Sequence, residues 1–248
     1  DPSRLRDHVR RALAEDAPMI IVGGGDGTLS CAVDDFVAHD AVFASLPLGT
    51  ANSFARTLGM PLDLDGAVDT IATGVRRRID LGMIDGDYFA NAANMGLAPL
   101  VAETVPHNLK RYLGRAGYLA WAAWKILRFR PFRLTVNNET MDAVEVRIAN
   151  GRFHGGSELM EDASLDSGEI MIQVVLGNAR HRLVWSWTAS LLKLRARKRT
   201  VREFHGVEMR LSTDRPLPIS IDGEVLAHTP VTVRVARAAI DVAAPRTS

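Results

Sequence analysis

Apolar residues early in the chain recur at helical spacing or in short runs that end in glycine, whereas later ones alternate with polar residues. Leu5, Val9 and Leu13 lie on one face of a predicted helix over residues 1–16, with Arg4, Arg6, Arg10 and Arg11 mostly elsewhere. Short apolar runs at 19–22 and 42–46 predict strands that enter glycine turns, and helical patterns follow at 29–38 and 52–58. A third helix at 66–72 leads into a run at 79–84. There Asp85-Gly86-Asp87 signals a hairpin to a strand at 88–93. From Phe132 onward β-rich runs dominate, at 132–136, 144–148, 170–176, 207–211, 217–221 and 231–235, separated by Asn, Gly and Asp-Gly turns.

Strand, helix, strand, helix is α/β grammar, and a succession of short strands is β-sandwich grammar. The expected fold class is therefore α/β plus β. A Rossmann-like, nucleotide-binding lobe covers residues 1–79, and a β-sandwich lobe with helical inserts near 115–128 and 182–199 covers 80–248. Only two α/β strands precede the change of grammar, fewer than the roughly four to six of a usual sheet. A leading strand is accordingly expected to be missing from the front lobe.

Composition narrows the classes. At 47% hydrophobic and 24% charged the chain is an ordinary globular sequence. The single cysteine, Cys31, excludes an internal disulfide and the multi-cysteine zinc patterns, which points to the cytoplasm. The best candidate for a membrane span, residues 118–127, is cut by Lys125. The net charge of +1 hides a segregation: residues 107–133 hold seven Lys/Arg and no acid, and 180–202 hold eight and no acid. All four tryptophans, Trp121, Trp124, Trp185 and Trp187, lie inside these basic stretches. They read either as solvated helices with Trp in the core or as surfaces that meet anionic headgroups.

Candidate chemistry begins at Gly23-Gly24-Gly25-Asp26-Gly27-Thr28, three glycines between a strand and a helix. Backbone N–H groups can approach an anion closely there, and the helix N-terminus adds partial positive charge. The spacing is neither a dinucleotide fingerprint nor a Walker A loop, because Thr28 stands at the third-glycine position and no Lys follows. A carboxylate at Asp26 inside a phosphate turn calls for a divalent cation between the two, which suggests Mg-nucleotide. The alternative is a tight turn in which Asp26 caps the helix. The second strand also ends in a polar glycine turn, Gly49-Thr50-Ala51-Asn52, and loops after successive parallel strands share one sheet edge. Thr50 or Asn52 as a plain helix cap is the alternative there.

Gly24-Gly25-Asp26-Gly27-Thr28, Pro47-Leu48-Gly49-Thr50-Ala51-Asn52-Ser53, Asp80-Leu81-Gly82, Leu165-Asp166-Ser167-Gly168 and Asp222-Gly223-Glu224 follow the order found in the diacylglycerol kinase catalytic domain family. This family of bacterial lipid kinases is related to sphingosine and ceramide kinases, and the resemblance spans essentially the whole chain. It implies ATP and Mg2+ as cofactors. It carries nucleotide contacts onto Gly24, Gly25, Asp26, Gly27, Thr28, Gly49, Thr50 and Asn52, with Asp26 reaching the metal through Mg-ATP. A required acid falls on Asp80, and the proton-accepting role falls on Glu224 with Asp222 beside it. Some members build a structural magnesium site at the turn that here carries Asp166, but Ser167 replaces the second acid of that motif.

On residues alone, Asp222-Gly223 reads as a hairpin turn, and Asp80, at the junction of the α/β and β-rich parts, reads equally as a functional acid or as a solvated strand-end acid. The histidines, among them His107, His154, His181, His205 and His228, show no metal-ligand spacing. The expected function is transfer of phosphate from ATP to the hydroxyl of a diacylglycerol-like or sphingoid lipid. The expected partner is an anionic membrane surface rather than nucleic acid, met through the basic Trp-containing segments, with the protein peripheral at the inner face of the membrane. Oligomeric state leaves no signal. A soluble kinase of the NAD kinase type and a non-catalytic lipid- or nucleotide-binding module are the rival readings.

Overall fold

In the computed structural model, which describes residues 4–97, 99–100, 124, 128–154, 157–158, 160, 162–177 and 201–246, the chain begins as helix α1 (Leu5–Ala14). Strand β1 (Met19–Gly24), helix α2 (Asp26–Val33), a 3-10 turn (Asp34–Phe36) and strand β2 (Val42–Pro47) follow. Next come α3 (Ser53–Leu58), α4 (Leu64–Thr73), β3 (Val75–Ile84), β4 (Asp87–Phe89) and β5 (Ala92–Gly96). The later strands are β6 (Phe132–Val136), β7 (Glu139–Ala149), β8 (Phe153–His154), β9 (Ser157–Glu158), β10 (Ile170–Leu176) and β11 (Val201–Gly206). The last four are β12 (Glu208–Thr213), β13 (Pro218–Ile221), β14 (Glu224–His228) and β15 (Val231–Ala244). No helix among the described residues is long and apolar enough to cross a membrane. The basic segments lie mostly outside the described residues. This applies to Trp121, Trp185 and Trp187, to the cluster Lys193, Arg195, Arg197, Lys198 and Arg199, and to most of both predicted helical inserts.

Two compact units divide the chain, and neither is continuous in sequence. The first comprises Asp1–Ala92, Ala149–Ile170 and Arg234–Ser248; the second comprises Ala93–Ile148 and Met171–Val233. A single boundary after residue 79 therefore does not describe the packing. The reason is long-range pairing: β15 joins β2 in parallel, with Asp241 opposite Val42, so the C-terminal residues return to the first unit. Local apolar periodicity carries no such information.

Within the first unit β1 and β2 are parallel, from Met19 opposite Val42 to Gly24 opposite Pro47, so both strands release their following loops at one edge. The core beneath them is aromatic. Phe36 and Phe43 meet edge to face at 5.0 Å, and Phe43 meets Phe54 at 6.0 Å, arrangements that suit the ring quadrupoles. Val22, Leu29, Val33, Ile79, Leu81 and Leu165 complete it. Helix α2 starts at Asp26, earlier than its apolar pattern suggests, and tightens into the 3-10 turn where Asp35 accepts hydrogen bonds from Arg6 and Arg10.

In the second unit β12, β6 and β7 form an antiparallel ladder, β10 pairs β7 and β11, and β13 lies between β5 and β14. The inner part of β7 and nearly all of β10 are buried on both faces, which explains why 170–176 reads as an uninterrupted apolar run. This is the pattern of inner strands in a β-sandwich.

Candidate active site

The first and second glycine loops, at the ends of β1 and β2, are joined by three ties. Leu48 N–H donates to Gly24 O at 3.1 Å. Gly49 lies so close to Gly25 that a Cβ built on Gly49 would stand 2.4 Å from the Gly25 Cα, a distance no side chain tolerates. The third tie is Asp26 Oδ1, which accepts the Phe54 N–H at 3.0 Å. Phe54 is in the first turn of α3, so the carboxylate of one loop caps the helix that leaves the other. The Phe54 ring is 1% exposed and anchors that helix in the core from below.

Asn52 closes the second loop on itself. It occupies the left-handed region at φ 48°, a conformation asparagine accepts more readily than most residues. Its Oδ1 accepts from Gly49 N–H at 2.9 Å, and its Nδ2 donates to the Gly49 carbonyl at 2.9 Å and the Pro47 carbonyl at 3.3 Å. Its side chain is thus a brace for the loop and not a cap for α3. Thr50 is exposed at the loop's crest.

Helix α2 has no side-chain cap; Thr28 N–H bonds the Gly25 carbonyl at 3.0 Å, and the Asp26 and Gly27 N–H groups ahead of it form the open end of the helix. A Cβ added to Gly27 would meet nothing within 4 Å, so no packing constraint from the described residues keeps a glycine there. An open helix N-terminus with a glycine at its rim and a carboxylate beside it suits a phosphate chain carried with a divalent ion. Among the described residues the second oxygen of Asp26, Oδ2, takes no protein hydrogen bond, and it is the group that would face such an ion's hydration shell.

Asp80 departs from one of its two sequence readings. It is not a solvated strand-end acid: it sits within β3, 6% exposed, and both oxygens are consumed by backbone. Oδ2 accepts from Gly168 N–H and Oδ1 from Ala238 N–H, each at 2.7 Å. The side chain therefore pins the turn after Leu165 and strand β15 to β3. Asn150, which the sequence did not single out, reinforces the same place by donating to the carbonyls of Asp80 (2.8 Å) and Ala90 (3.1 Å).

Asp166 is more than half exposed and pairs with Arg77 at 2.6 Å. The Ser164 hydroxyl, foremost, and the Arg77 guanidinium hold its carboxyl below the usual aspartate range. Among the described residues no three His, Cys, Asp or Glu side chains gather as a metal-binding group. The donor set at Asp166 does not fit a structural magnesium ion, because a cation already occupies its carboxylate and Ser167 offers a hydroxyl where a second acid is needed.

Asp222 and Glu224 belong to the second unit. Asp222 (φ 44°) and Gly223 (φ 103°) form a two-residue turn with both φ values positive, the primed geometry that matches strand twist. Glu224 is exposed as the first residue of β14, opposite Ile221. The Asp-Gly dipeptide is thus a hairpin turn, as its residues alone suggest, and it presents Glu224 at a fixed place on the strand.

Of the basic tryptophan segments, Trp124 and Arg128 are described. The Trp124 ring is 38% exposed, and the Arg128 guanidinium lies 4.3 Å from its centroid, a cation–π contact.

Two family models match the chain. The diacylglycerol kinase catalytic domain matches residues 1–84, and the YegS C-terminal NAD kinase beta sandwich-like domain matches 91–244. A Pseudomonas syringae pv. tomato protein named "Probable lipid kinase YegS-like" is 32% identical over 240 residues, covering 92% of this chain and 75% of that protein. A protein of the same name from an Enterobacter species is 30% identical over 177 residues, and the matched stretch spans 59% of its length. The crystal structure of a diacylglycerol kinase from Bacillus anthracis superposes with a TM-score of 0.72 at 19% identity, covering 97% of this chain and 80% of that one, a likeness of fold.

Proposed function

The chain belongs to the diacylglycerol kinase catalytic domain family of lipid kinases, and from that membership we propose that it transfers the γ-phosphoryl group of Mg-ATP to the hydroxyl of a diacylglycerol-like or sphingoid lipid. The observation that carries the nucleotide half is the pair of glycine loops held in backbone contact, with Asp26 linking them and Gly27 left open. Phosphoryl transfer demands positioning and charge neutralisation more than covalent chemistry, and rigid backbone donors provide the first. Gly24 to Thr28 and Gly49 to Asn52 hold the phosphates. Asp26 is the residue that would hold a divalent ion, which when bound would supply charge neutralisation for the phosphates.

In the reaction the bond from the γ-phosphorus to the bridging β,γ-oxygen breaks, and a new phosphorus–oxygen bond forms to the lipid hydroxyl. ADP leaves with the bridging oxygen, and the hydroxyl proton passes to the Glu224 carboxylate. The assignment of Glu224 rests on the family resemblance of Asp222-Gly223-Glu224. Asp222 stiffens the turn that presents it. Asp80 serves as an anchor of the nucleotide-binding unit.

A lipid hydroxyl is reached only at an interface, and Trp124 stacked by Arg128 in a stretch without acids is suited to anionic headgroups. Such docking places the enzyme at the inner face of the membrane and weakens with salt, since the Debye length is about 8 Å at physiological ionic strength.

Glu224→Gln tests the catalytic assignment. Turnover on lipid should fall by about a hundredfold or more, with nucleotide affinity little changed. Turnover equal to that of the parent protein would leave the residue a strand position and nothing more.

A further inference from the structure

We infer that two guanidinium groups, those of Arg77 and Arg237, stand in place of a structural divalent cation at the Leu165–Gly168 turn, so that the nucleotide-free protein holds no metal there. The turn is closed by the chain's own groups. Arg77 Nη2 binds Asp166 Oδ2 at 2.6 Å, while Arg237 donates through Nε (3.2 Å) and Nη2 (3.1 Å) to the Gly168 carbonyl. The Leu165 carbonyl accepts from Asp80 N–H at 2.6 Å, and Gly168 N–H goes to Asp80 Oδ2. The Ser167 hydroxyl lies 3.1 Å from the carbonyls of Ser164 and Glu169, and the Ser164 hydroxyl is bonded to Asp166 Oδ1.

Both oxygens of Asp166, both oxygens of Asp80 and the carbonyls of Leu165 and Gly168 are therefore each aimed at a hydrogen-bond donor. Of the two aspartates, Asp166 is paired with the Arg77 guanidinium and Asp80 is satisfied by the N–H groups of Gly168 and Ala238. A magnesium ion needs near-octahedral oxygens and several waters, and would have to displace Arg77 from Asp166 and Arg237 from Gly168. The Arg77–Asp166 pair is itself partly exposed, at 32% and 55%, so its role is to occupy the carboxylate and not to supply much stability. Arg77 reaches this turn because side chains alternate along β3: Arg76 and Arg78 serve Asp241, while Arg77 points to the other side.

The test uses the whole chain without nucleotide or lipid, so it stands apart from the proposed phosphoryl transfer. Melting is followed in EDTA and in millimolar MgCl2 at matched ionic strength. The parent protein should melt at the same temperature, within about 1 °C, under both conditions. The double substitution Arg77→Met with Ser167→Asp removes one guanidinium and supplies a second acid. It should melt about 5 °C or more higher in saturating MgCl2 than in EDTA. Manganese added to the parent protein should keep its full free-ion electron paramagnetic resonance signal, a readout that needs no variant to fold. A magnesium-dependent rise in the parent protein, loss of one equivalent of manganese signal, or a double variant as indifferent to magnesium as its parent would overturn the inference.

Discussion

Asp26 Oδ1 is committed to the Phe54 N–H, so the residue that the glycine-loop chemistry assigns to a metal also fixes helix α3. The two roles separate by substitution. Asp26→Asn keeps an oxygen for the Phe54 N–H, and its melting temperature should stay close to that of the parent, while Mg-dependent ATP binding weakens by about tenfold or more, ~1.4 kcal/mol. Asp26→Ala loses the cap as well and should cost a further ~1 kcal/mol of stability. Calorimetric melts alongside nucleotide titrations check both expectations; equal stability losses in the two variants would refute the division of labour. At this scale the sequence revealed the residue but not its partner. A Gly-Gly-Asp-Gly turn is a local pattern, whereas Phe54 lies 28 positions away and is reached only through the packing of β1 against β2.

Strand β3 shows how an element hides from periodicity. Its apolar part, Ile79 to Ile84, is legible, yet the strand begins at Val75: Arg76, Arg77 and Arg78 read as polar, and each finds an acid, Asp241 for Arg76 and Arg78 and the turn residue Asp166 for Arg77. The Asp85-Gly86 turn, by contrast, was readable, since both residues take the positive φ that Asp and Gly accept, although the strand expected at 88–93 divides into β4 and β5. Asp80 looked like a surface acid for the same reason the strand start was missed: its two amide donors, on Gly168 and Ala238, come from distant segments. Because the buried carboxylate accepts two backbone N–H groups, that of Gly168 in a buried bond and that of Ala238 in a part-buried one, Asp80→Ala should lose about 3 kcal/mol or more in urea unfolding, even without nucleotide. A loss under about 1 kcal/mol would contradict the anchor role.

The same strand sets an acid limit. Asp241 is buried, and chiefly the hydrogen bond from Arg76, then the charges of Arg76 and Arg78, hold its carboxyl below its ordinary value near 3.8. A lowered folded-state pKa gives stability that is complete above the ordinary value and lost as pH falls through the depressed one. Stability should therefore be flat in this contribution from neutral pH down to about 5 and fall below about 4. Asp241→Asn should flatten that acid limb in a pH series of urea melts, and an unchanged limb would place the titrating group elsewhere.

Across the whole molecule, two interleaved units and a segregated charge pattern carry the proposed division of work. The α/β and β-rich characters were legible in the sequence because each rests on local period. The interleaving was not, because the return of residues 149–170 and 234–248 to the first unit depends on pairing between distant segments. The candidate site was legible to the same degree: its loops as motifs, its ties and anchors only in three dimensions. The most direct test offers the intact protein γ-labelled ATP and magnesium, with diacylglycerol in anionic vesicles, a sphingoid base in the same vesicles, and soluble NAD in parallel reactions. Label should pass into the organic phase with a lipid acceptor and should fall as salt is raised. Label transferred to NAD alone, or retained entirely in ATP with every acceptor, would contradict the account.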